Sequence, residues 1–265
     1  MKKNLSILII LLLCITLHAQ QIRPDVVNTV GGSAQYSGGY FAWSVGEPVI
    51  GSVNGLGGST LNINQGFLQT LPGLAKQLFL TLYLEGLWNG SGLNKAQNES
   101  GDNFPGDVAD KVQLELHNAA NYSQIAYSSG NVDLSTSGVV TLFVPSTYTG
   151  SYYLTVKHRN SVQTTSASVV NFSGLNINYD FTSIAAKAFG NNMKAIDGIF
   201  VIFGGDVNQD GVVDALDMIP VDNQAANFGT GYIPEDINGD GSIDTLDMNM
   251  LNNNAAAFIG AVLPY

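Results

Sequence analysis

Asp206-Val-Asn208-Gln-Asp210-Gly211-Val212-Val-Asp214-Ala-Leu-Asp217 is followed thirty residues on by Asp236-Ile-Asn238-Gly-Asp240-Gly241-Ser242-Ile-Asp244-Thr-Leu-Asp247. In each stretch oxygen-bearing side chains stand at positions 1, 3, 5, 9 and 12, and the backbone carbonyl of position 7 adds a further donor. Donors spaced this way around a glycine at position 6, which permits the sharp turn, can wrap one large hard cation. The ligand number suits calcium better than magnesium, and four carboxylates with one amide per loop repel one another strongly without a divalent ion. The expected cofactor is two calcium ions. Asp206, Asn208, Asp210, Val212, Asp214 and Asp217 hold one in this reading; Asp236, Asn238, Asp240, Ser242, Asp244 and Asp247 hold the other. Asp, Asn and Gly also crowd into plain solvated turns, but a chance turn need not recur in register.

Aligned over thirty positions, Asp206 to Glu235 and Asp236 to Tyr265 share 13 identities, which reach past the ligands to Leu216/Leu246, Met218/Met248, Ala225/Ala255, Phe228/Phe258 and Pro234/Pro264. The duplicated unit is therefore a loop followed by a helix. Asp214 and Asp244 stand at helix N-cap positions with Asp217 and Asp247 three residues on, so each acidic pair is expected to cap a helix as well as hold metal. Pro220 falls inside the first helix. Its missing N–H and its clash with the preceding turn are expected to kink that helix or delay its start.

No amphipathic helix precedes either loop: Ile199 to Phe203 reads as a strand, and position 12 is Asp where an ordinary EF-hand has Glu. A loop and following helix, given twice with Asp at position 12, resembles the type I dockerin module from Asp206 to about Phe258. The resemblance implies calcium binding at the residues above. It also implies docking onto a cohesin partner through loop positions 10 and 11, often Ser or Thr, and through basic residues on the helix. Here those positions are Ala215-Leu216 and Thr245-Leu246, and neither helix has a Lys or Arg, so a cohesin-like partner is not supported by the recognition positions.

Lys2 and Lys3, an apolar run from Leu5 to Leu17, and Ala19 before Gln20-Gln21 read as a cleavable secretory signal over residues 1–19. The run is short for a membrane span, and Leu13 before Cys14 does not suit a lipoprotein signal. The expected location is secreted or cell surface, with no transmembrane anchor. Cys14 is the one cysteine; its loss removes disulfides, thiol catalysis and cysteine metal sites together, and leaves calcium as the staple. Loss of Lys2 and Lys3 takes 10 basic against 21 acidic residues to 8 against 21, a net charge of −13. Nucleic acid is not an expected partner on that balance. No Lys or Arg follows Lys194, whereas ten acidic residues lie between Asp206 and Asp247; metal explains that field better than a basic partner does.

Residues 76–203 are expected to form a β-sandwich. Leu78–Leu84, Lys111–Leu116, Val139–Val144, Tyr152–Val156, Ser168–Phe172 and Ile177–Phe181 are rich in β-branched or aromatic residues, often alternating, between Gly, Ser and Asn turns. Six or seven such strands suit one sandwich core. Asn89 to Asp107 is expected to be a long surface loop. Residues 20–72 read as a Gly-rich β segment with strands around Tyr40–Ser44 and Leu61–Asn64, and residues 204–265 as the calcium repeat pair. Trp43-Ser-Val-Gly-Glu-Pro48 with Gln65-Gly-Phe67, and Tyr153 to Asn160 with Tyr179-Asp-Phe181, resemble segments of secreted surface proteins of Bacteroidota; no biochemical activity follows from that. The expected fold class is mainly β: an antiparallel sandwich with a small C-terminal dockerin-like unit of calcium loops and helices.

Beyond calcium the chemistry is sparse. After His18, His117 and His158 remain, in or at the ends of expected strands with no nucleophile or metal constellation beside them, and they read as structural. A glycosidase pair could be drawn from Glu85, Glu99, Asp102, Asp107, Asp110 and Glu115, although most of these read as solvated charges. Trp43, Trp88 and the tyrosines could stack on a glycan, although aromatics in a sandwich usually belong to its core. The leading reading is a non-catalytic, calcium-stabilised surface, assembly or adhesion module. A docking component of a polysaccharide-degrading system and a carbohydrate-binding sandwich are the alternatives. Phe258, Ile259, Val262, Leu263 and Tyr265 need a burial surface, which the neighbouring sheet is expected to supply, since Gly204-Gly205 is too short a junction for independent motion.

Overall fold

The computed structural model describes residues 75–265 and, before them, the backbone of four short strands. Residues 1–71 and 72–265 are separate compact units. In the first, β1 (Val30–Tyr36) and β2 (Gly39–Val45) form an antiparallel hairpin, and β3 (Val53–Asn54) pairs with β4 (Thr60–Leu61). The expected signal segment 1–19, with Cys14, lies outside the described residues.

The second unit begins with β5 (Lys76–Thr81), whose alternation buries Leu78 and Leu80 and turns Gln77, Phe79 and Thr81 outward. A two-residue ladder of β6 (Gln97–Asn98) and β7 (Gly101–Asp102) follows. Then come β8 (Val108–Asn118), β9 (Ile125–Ser128), β10 (Val132–Ser135), β11 (Val139–Val144) and β12 (Ser151–His158). β13 (Ser161–Thr165), β14 (Val170–Asn171) and β15 (Asn176–Asp180) complete the sandwich.

β8 belongs to both layers. Its first half pairs with β10, Val112 opposite Val132, and its second half with β12, Leu116 opposite Leu154. One layer is β10-β11-β5-β15; the other is β13-β12-β8, with β14 on β12 and β9 on β8. The ladders are antiparallel except that β15 runs parallel to β5. Between the layers Leu78, Leu80, Leu114, Leu116, Leu134, Val140, Leu154 and Phe172 are closed off from water, and each such side chain contributes roughly 1.5–3 kcal/mol by burial. The Lys76 ammonium, also buried, donates to the carbonyls of Phe172, Ser173 and Gly174 and closes the turn between β14 and β15.

A hairpin of β16 (Lys194–Ile196) and β17 (Ile199–Val201) leads into the repeats. Helix α1 spans Ala215–Ala226 and α2 spans Thr245–Ala256. Both begin at the expected caps: Asp214 and Asp244 accept from the N–H of Leu216 and Leu246 at 2.7 Å. Pro220 does not delay α1, which starts at its cap and runs through the proline to the same 12-residue length as α2. Val207/Ile237, Val213/Ile243 and Val221/Leu251 are three pairs related by the thirty-residue repeat, and with Val162 of β13 they form a second small core.

Two polar pins hold this core on the sandwich. Glu85 Oε2 accepts from Gly204 N (3.0 Å) and Asn254 Nδ2 (2.7 Å), while its other oxygen pairs with Lys194. On the other side Arg159 Nη1 donates to the carbonyls of Ile233 (2.6 Å) and Asp236 (2.7 Å), and Asn160 Nδ2 donates to those of Pro234 (3.0 Å) and Asp236 (2.8 Å). The stretch expected as a plain surface loop takes part as well, since Gln97 N donates to Gly239 O at 2.9 Å.

Gly86 sits at a close approach of the sandwich to the second loop: a Cβ there would lie 1.9 Å from the carbonyl oxygen of Ile237. Gly86→Ala is expected to destabilise the protein by about 1–3 kcal/mol, as overpacking against backbone does. Gly130→Ala, with nothing within 4 Å, should stay near wild type. Paired thermal melts of the two variants check this.

Candidate metal centre

Position 12 is the hub of each loop. Asp217 Oδ1 accepts from Val207 N (2.8 Å) and Asn208 N (3.0 Å), and its Oδ2 accepts from Asp214 N (2.9 Å). Asp247 repeats the pattern with Ile237 N (2.7 Å), Asn238 N (3.0 Å) and Asp244 N (3.0 Å). Both carboxylates are fully buried, and each ties the start of its loop to the first turn of its helix. Positions 3 and 5 hold each other: Asn208 Nδ2 donates to Asp210 Oδ2 (3.0 Å) while Asp210 N donates to Asn208 Oδ1 (2.8 Å), and Asn238 with Asp240 does the same. Asp210 Oδ1 and Asp240 Oδ1 accept from the N–H of Val212 and Ser242.

Position 1 breaks this satisfied pattern. Asp206 Oδ1 and Asp236 Oδ1 are buried and have no hydrogen-bond partner. Such an orphan costs free energy, and here it is the same atom in both repeats. A hard cation is the partner a carboxylate oxygen takes in a set of Asp, Asn and carbonyl donors, so the donor chemistry fits calcium. Burial, with the Asp217 and Asp210 carboxylates adding to it, pushes Asp206 up to about 6. Burial pushes Asp236 up to about 7 against the pull of the Arg159 guanidinium, and burial raises Asp247. Of the twelve sequence-derived positions, Asp217 and Asp247 lie in the first turns of α1 and α2, Asp214 and Asp244 cap those helices, and the other eight lie in the two loops before them. Among the described residues no three His, Cys, Asp or Glu side chains converge closely enough to hold an ion by themselves.

The loops are also locked to each other. Val212, at position 7 of the first loop, forms a β-bridge with Gly260 beyond α2, and Ser242, at position 7 of the second, bridges Thr230 beyond α1. Val213 N donates to Ile259 O (2.9 Å) and Ile243 N to Gly229 O (3.0 Å). Each helix ends in a paired hydrogen-bond turn: Phe228 N donates to Ala225 O and Gly229 N to Gln224 O, with Phe258 and Ile259 repeating it. The residue after the cap in such a turn adopts a left-handed backbone and is usually Gly. Here it is Phe twice, at φ 52° and 56°, and the two rings are 89% and 91% exposed. The expectation that the terminal apolar residues are buried is thus corrected: Ile259 joins the small core, but Phe258 and Tyr265 stay in solvent. The left-handed turn aims the chain inward only after Phe258.

Three of the six candidate carboxylates and the candidate histidines His117 and His158 are committed elsewhere. Glu85, Asp110 and Glu115 are buried rather than solvated. Glu115 pairs with Lys157 and lies 3.1 Å from His117 Nε2. His158 lies between Asp110 Oδ2 (3.1 Å from Nε2) and Ser161 Oγ (2.9 Å from Nδ1). Sequence reading missed this Ser-His-Asp line because Asp110 is 48 residues away from His158. All three side chains are buried, and the line ties β8, β12 and β13 together. Burial works against the charged form of Asp110, yet His158, Arg159 and the Tyr232 hydroxyl outweigh it and hold the carboxyl at about 2. Burial and the Asp110 carboxylate raise Tyr232 well above its ordinary value.

Two cross-bridged loop-and-helix units sharing one core define a paired EF-hand-loop module. Residues 204–256, which take in both loops and both helices, match the model of the dockerin type I domain family. Two solved structures from Acetivibrio cellulolyticus, an N-terminal and a C-terminal interface mutant of a type II cohesin–X–dockerin complex, align with 68% and 71% of this chain. They are covered over 95% and 97% of their own chains, at 11% and 12% identity, each with a TM-score of 0.41. No curated protein matches the chain.

The raised carboxyls set a pH dependence for the calcium-free protein. Asp206 and Asp236 bind protons more tightly folded than unfolded, where a carboxyl titrates near 3.8. The folded state therefore holds more protons between about pH 4 and 7, and stability falls as pH rises through that window. Asp110 acts oppositely: its contribution is present above about pH 4 and is lost as pH falls towards 2. Melting temperature in excess chelator should be higher at pH 5 than at pH 7.5 and should drop again below pH 4; a profile rising from 5 to 7.5 would contradict the assignment.

Proposed function

We propose that the chain is an exported, non-catalytic docking or assembly module whose C-terminal repeats are set by two calcium ions. The observation that carries this reading is the dockerin type I match over residues 204–256, the same span in which each position-1 carboxylate has a buried, unpartnered oxygen. One ion would be held by Asp206, Asn208, Asp210, the Val212 carbonyl, Asp214 and Asp217. Asp236, Asn238, Asp240, the Ser242 carbonyl, Asp244 and Asp247 would hold the other. Calcium supplies positive charge to a segment that has ten acidic residues and no Lys or Arg. The commitment of His117, His158, Glu85, Asp110 and Glu115 to structural bonds supports a non-catalytic role. Among the described residues no helix is long and apolar enough to cross a membrane; the reading of residues 1–19 as a cleavable signal supports export to the medium or the cell surface.

The partner in this reading is a protein with an apolar face. Leu216 and Leu246, at position 11, are 57% and 56% exposed, and Phe228 and Phe258 stand out further. Holding Phe in a left-handed conformation costs about 1–2 kcal/mol, which is tolerable where the ring is used by a partner. Calorimetry should find two calcium ions per wild-type chain and one in each of Asp210→Ala and Asp240→Ala, with melting temperature rising in calcium; no uptake by the intact protein would sink the metal assignment. The variant Phe228→Gly/Phe258→Gly should melt no lower than wild type, because Gly suits the left-handed turn. It should capture at least tenfold less partner from a cell-envelope extract in calcium. Undiminished capture would remove these rings from the docking surface.

A further inference from the structure

A cavity of about 250 Å3 opens beside β8 and β12, where the sandwich meets the first loop, and every residue around it is polar while none is acidic. The chain has 10 Lys and Arg against 21 Asp and Glu, yet Lys111, Lys157 and Arg159 all line this one cavity. The placement is built by register: Lys111 and Gln113 are two apart on β8, and Lys157 lies directly opposite Gln113 on β12, so strand alternation turns all three to one face.

The three cations have different freedom. Arg159 is fixed by Asp110 (3.4 Å from Nε), Ile233 O, Asp236 O and the Tyr232 ring 4.5 Å below it, and its Nη2, itself buried, is without a hydrogen-bond partner. Lys111 pairs with Asp133 and Lys157 with Glu115, with 31% and 34% of their side chains exposed. An ammonium has three donors; the Lys111–Asp133 pair is exposed at both ends and so weak, while Lys157, which pairs with the buried Glu115 carboxylate, keeps a donor beyond that pair, so both can turn donors to an incoming anion. Gln113 and Asn131 add amides at the rim, and Gln209 adds one from the first loop. Gln209 holds a left-handed backbone, φ 59°, where the second loop has Gly239 at φ 71°. Gln209 Nε2 donates to the carbonyls of Asp206 and Ser161, which leaves Oε1 as the acceptor it offers to the cavity.

We propose that this cavity binds an anionic sugar residue of the hexuronate kind. The carboxylate sits between the Lys111 and Lys157 ammoniums beside Arg159, and the ring hydroxyls donate to the amide oxygens of Gln113 and Gln209, whose nitrogens are held by Ser128 Oγ and the Asp206 carbonyl, and exchange hydrogen bonds with the Asn131 amide. The lining has no apolar side chain to receive a peptide's side chains. Its volume is below the ~300–1,000 Å3 of drug-sized sites, which suits one sugar residue. The site goes beyond the docking reading: of its lining only Gln209 and Tyr232 come from the repeats, and none of the exposed Leu216, Phe228, Leu246 and Phe258 takes part.

An NMR amide titration of the full chain in saturating calcium tests this with three probes: glucuronate, glucose and acetate. Glucuronate is expected to give saturable shifts at the cavity residues, glucose none, and acetate at least tenfold weaker binding. Lys111→Gln/Lys157→Gln should lose at least tenfold in glucuronate affinity. Should that double variant fold poorly, Lys111→Gln alone and the exposed Asn131→Ala should each weaken binding with an unchanged melting temperature. Equal binding of glucose, equal binding of acetate, absence of saturable shifts, or full affinity in the lysine variants would each overturn the proposal. The docking reading is judged separately by partner capture, which the lysine variants should leave intact.

Discussion

Arg159 makes one body of two hydrophobic cores. Its guanidinium reaches Asp110 on β8 through Nε (3.4 Å) and the carbonyls of Ile233 and Asp236 in the repeats through Nη1. A buried charge is tolerable only with compensation, and removing one partner of such a pair typically costs about 3–5 kcal/mol. Asp110 supplies that compensation because its carboxyl, held at about 2, is ionised throughout the neutral range. It also lies in the half of β8 that pairs with β10, next to the point where the strand passes to the other layer. The strand that joins the two sheets thus also carries the charge that fixes the repeats.

Within the repeats the governing problem is carboxylate crowding. Backbone N–H groups solve most of it: three bonds to each position-12 Asp and one to each position-9 Asp lower the cost of packing acids together. Position 1 is left over, and it is where burial acts on Asp206 and Asp236 with the least relief. The loops are accordingly built as nearly satisfied backbone turns with one unmet oxygen each, an arrangement that supports selective filling by a hard cation.

What was legible in the sequence was local. The spacing of Asp, Asn and Gly, the caps at Asp214 and Asp244, and the alternating strands β5, β8, β11 and β12 all depend on neighbours a few residues away. β13 was missed because Ser-Val-Gln-Thr-Thr has one apolar residue to alternate with, and β9 and β10 are only four residues each. The pins were beyond reach: Glu85 meets Asn254 across 169 residues and Arg159 meets Asp236 across 77, and nothing in either neighbourhood signals the other. Charge alone suggested solvated positions for Glu85, Asp110 and Glu115, but burial of a charge is decided by its partner. The ligand roles of the twelve loop residues remain the part read from spacing, with the orphaned oxygens of Asp206 and Asp236 as their structural support.

The reciprocal bridges between the repeats bear on how such a unit can arise. Val212 pairs with Gly260 and Ser242 with Thr230, so each loop finds its strand partner only in the other copy. A chain with a single repeat would expose those N–H and C=O groups together with half a core, Val207, Val213 and Val221 facing no Ile237, Ile243 and Leu251. Two such chains could satisfy one another as a homodimer about a two-fold axis. Duplication then converts that dimer into one polypeptide, and divergence between the copies becomes possible for the first time: Gln209 against Gly239, and Pro220 against Met250, are differences a symmetric dimer could not hold.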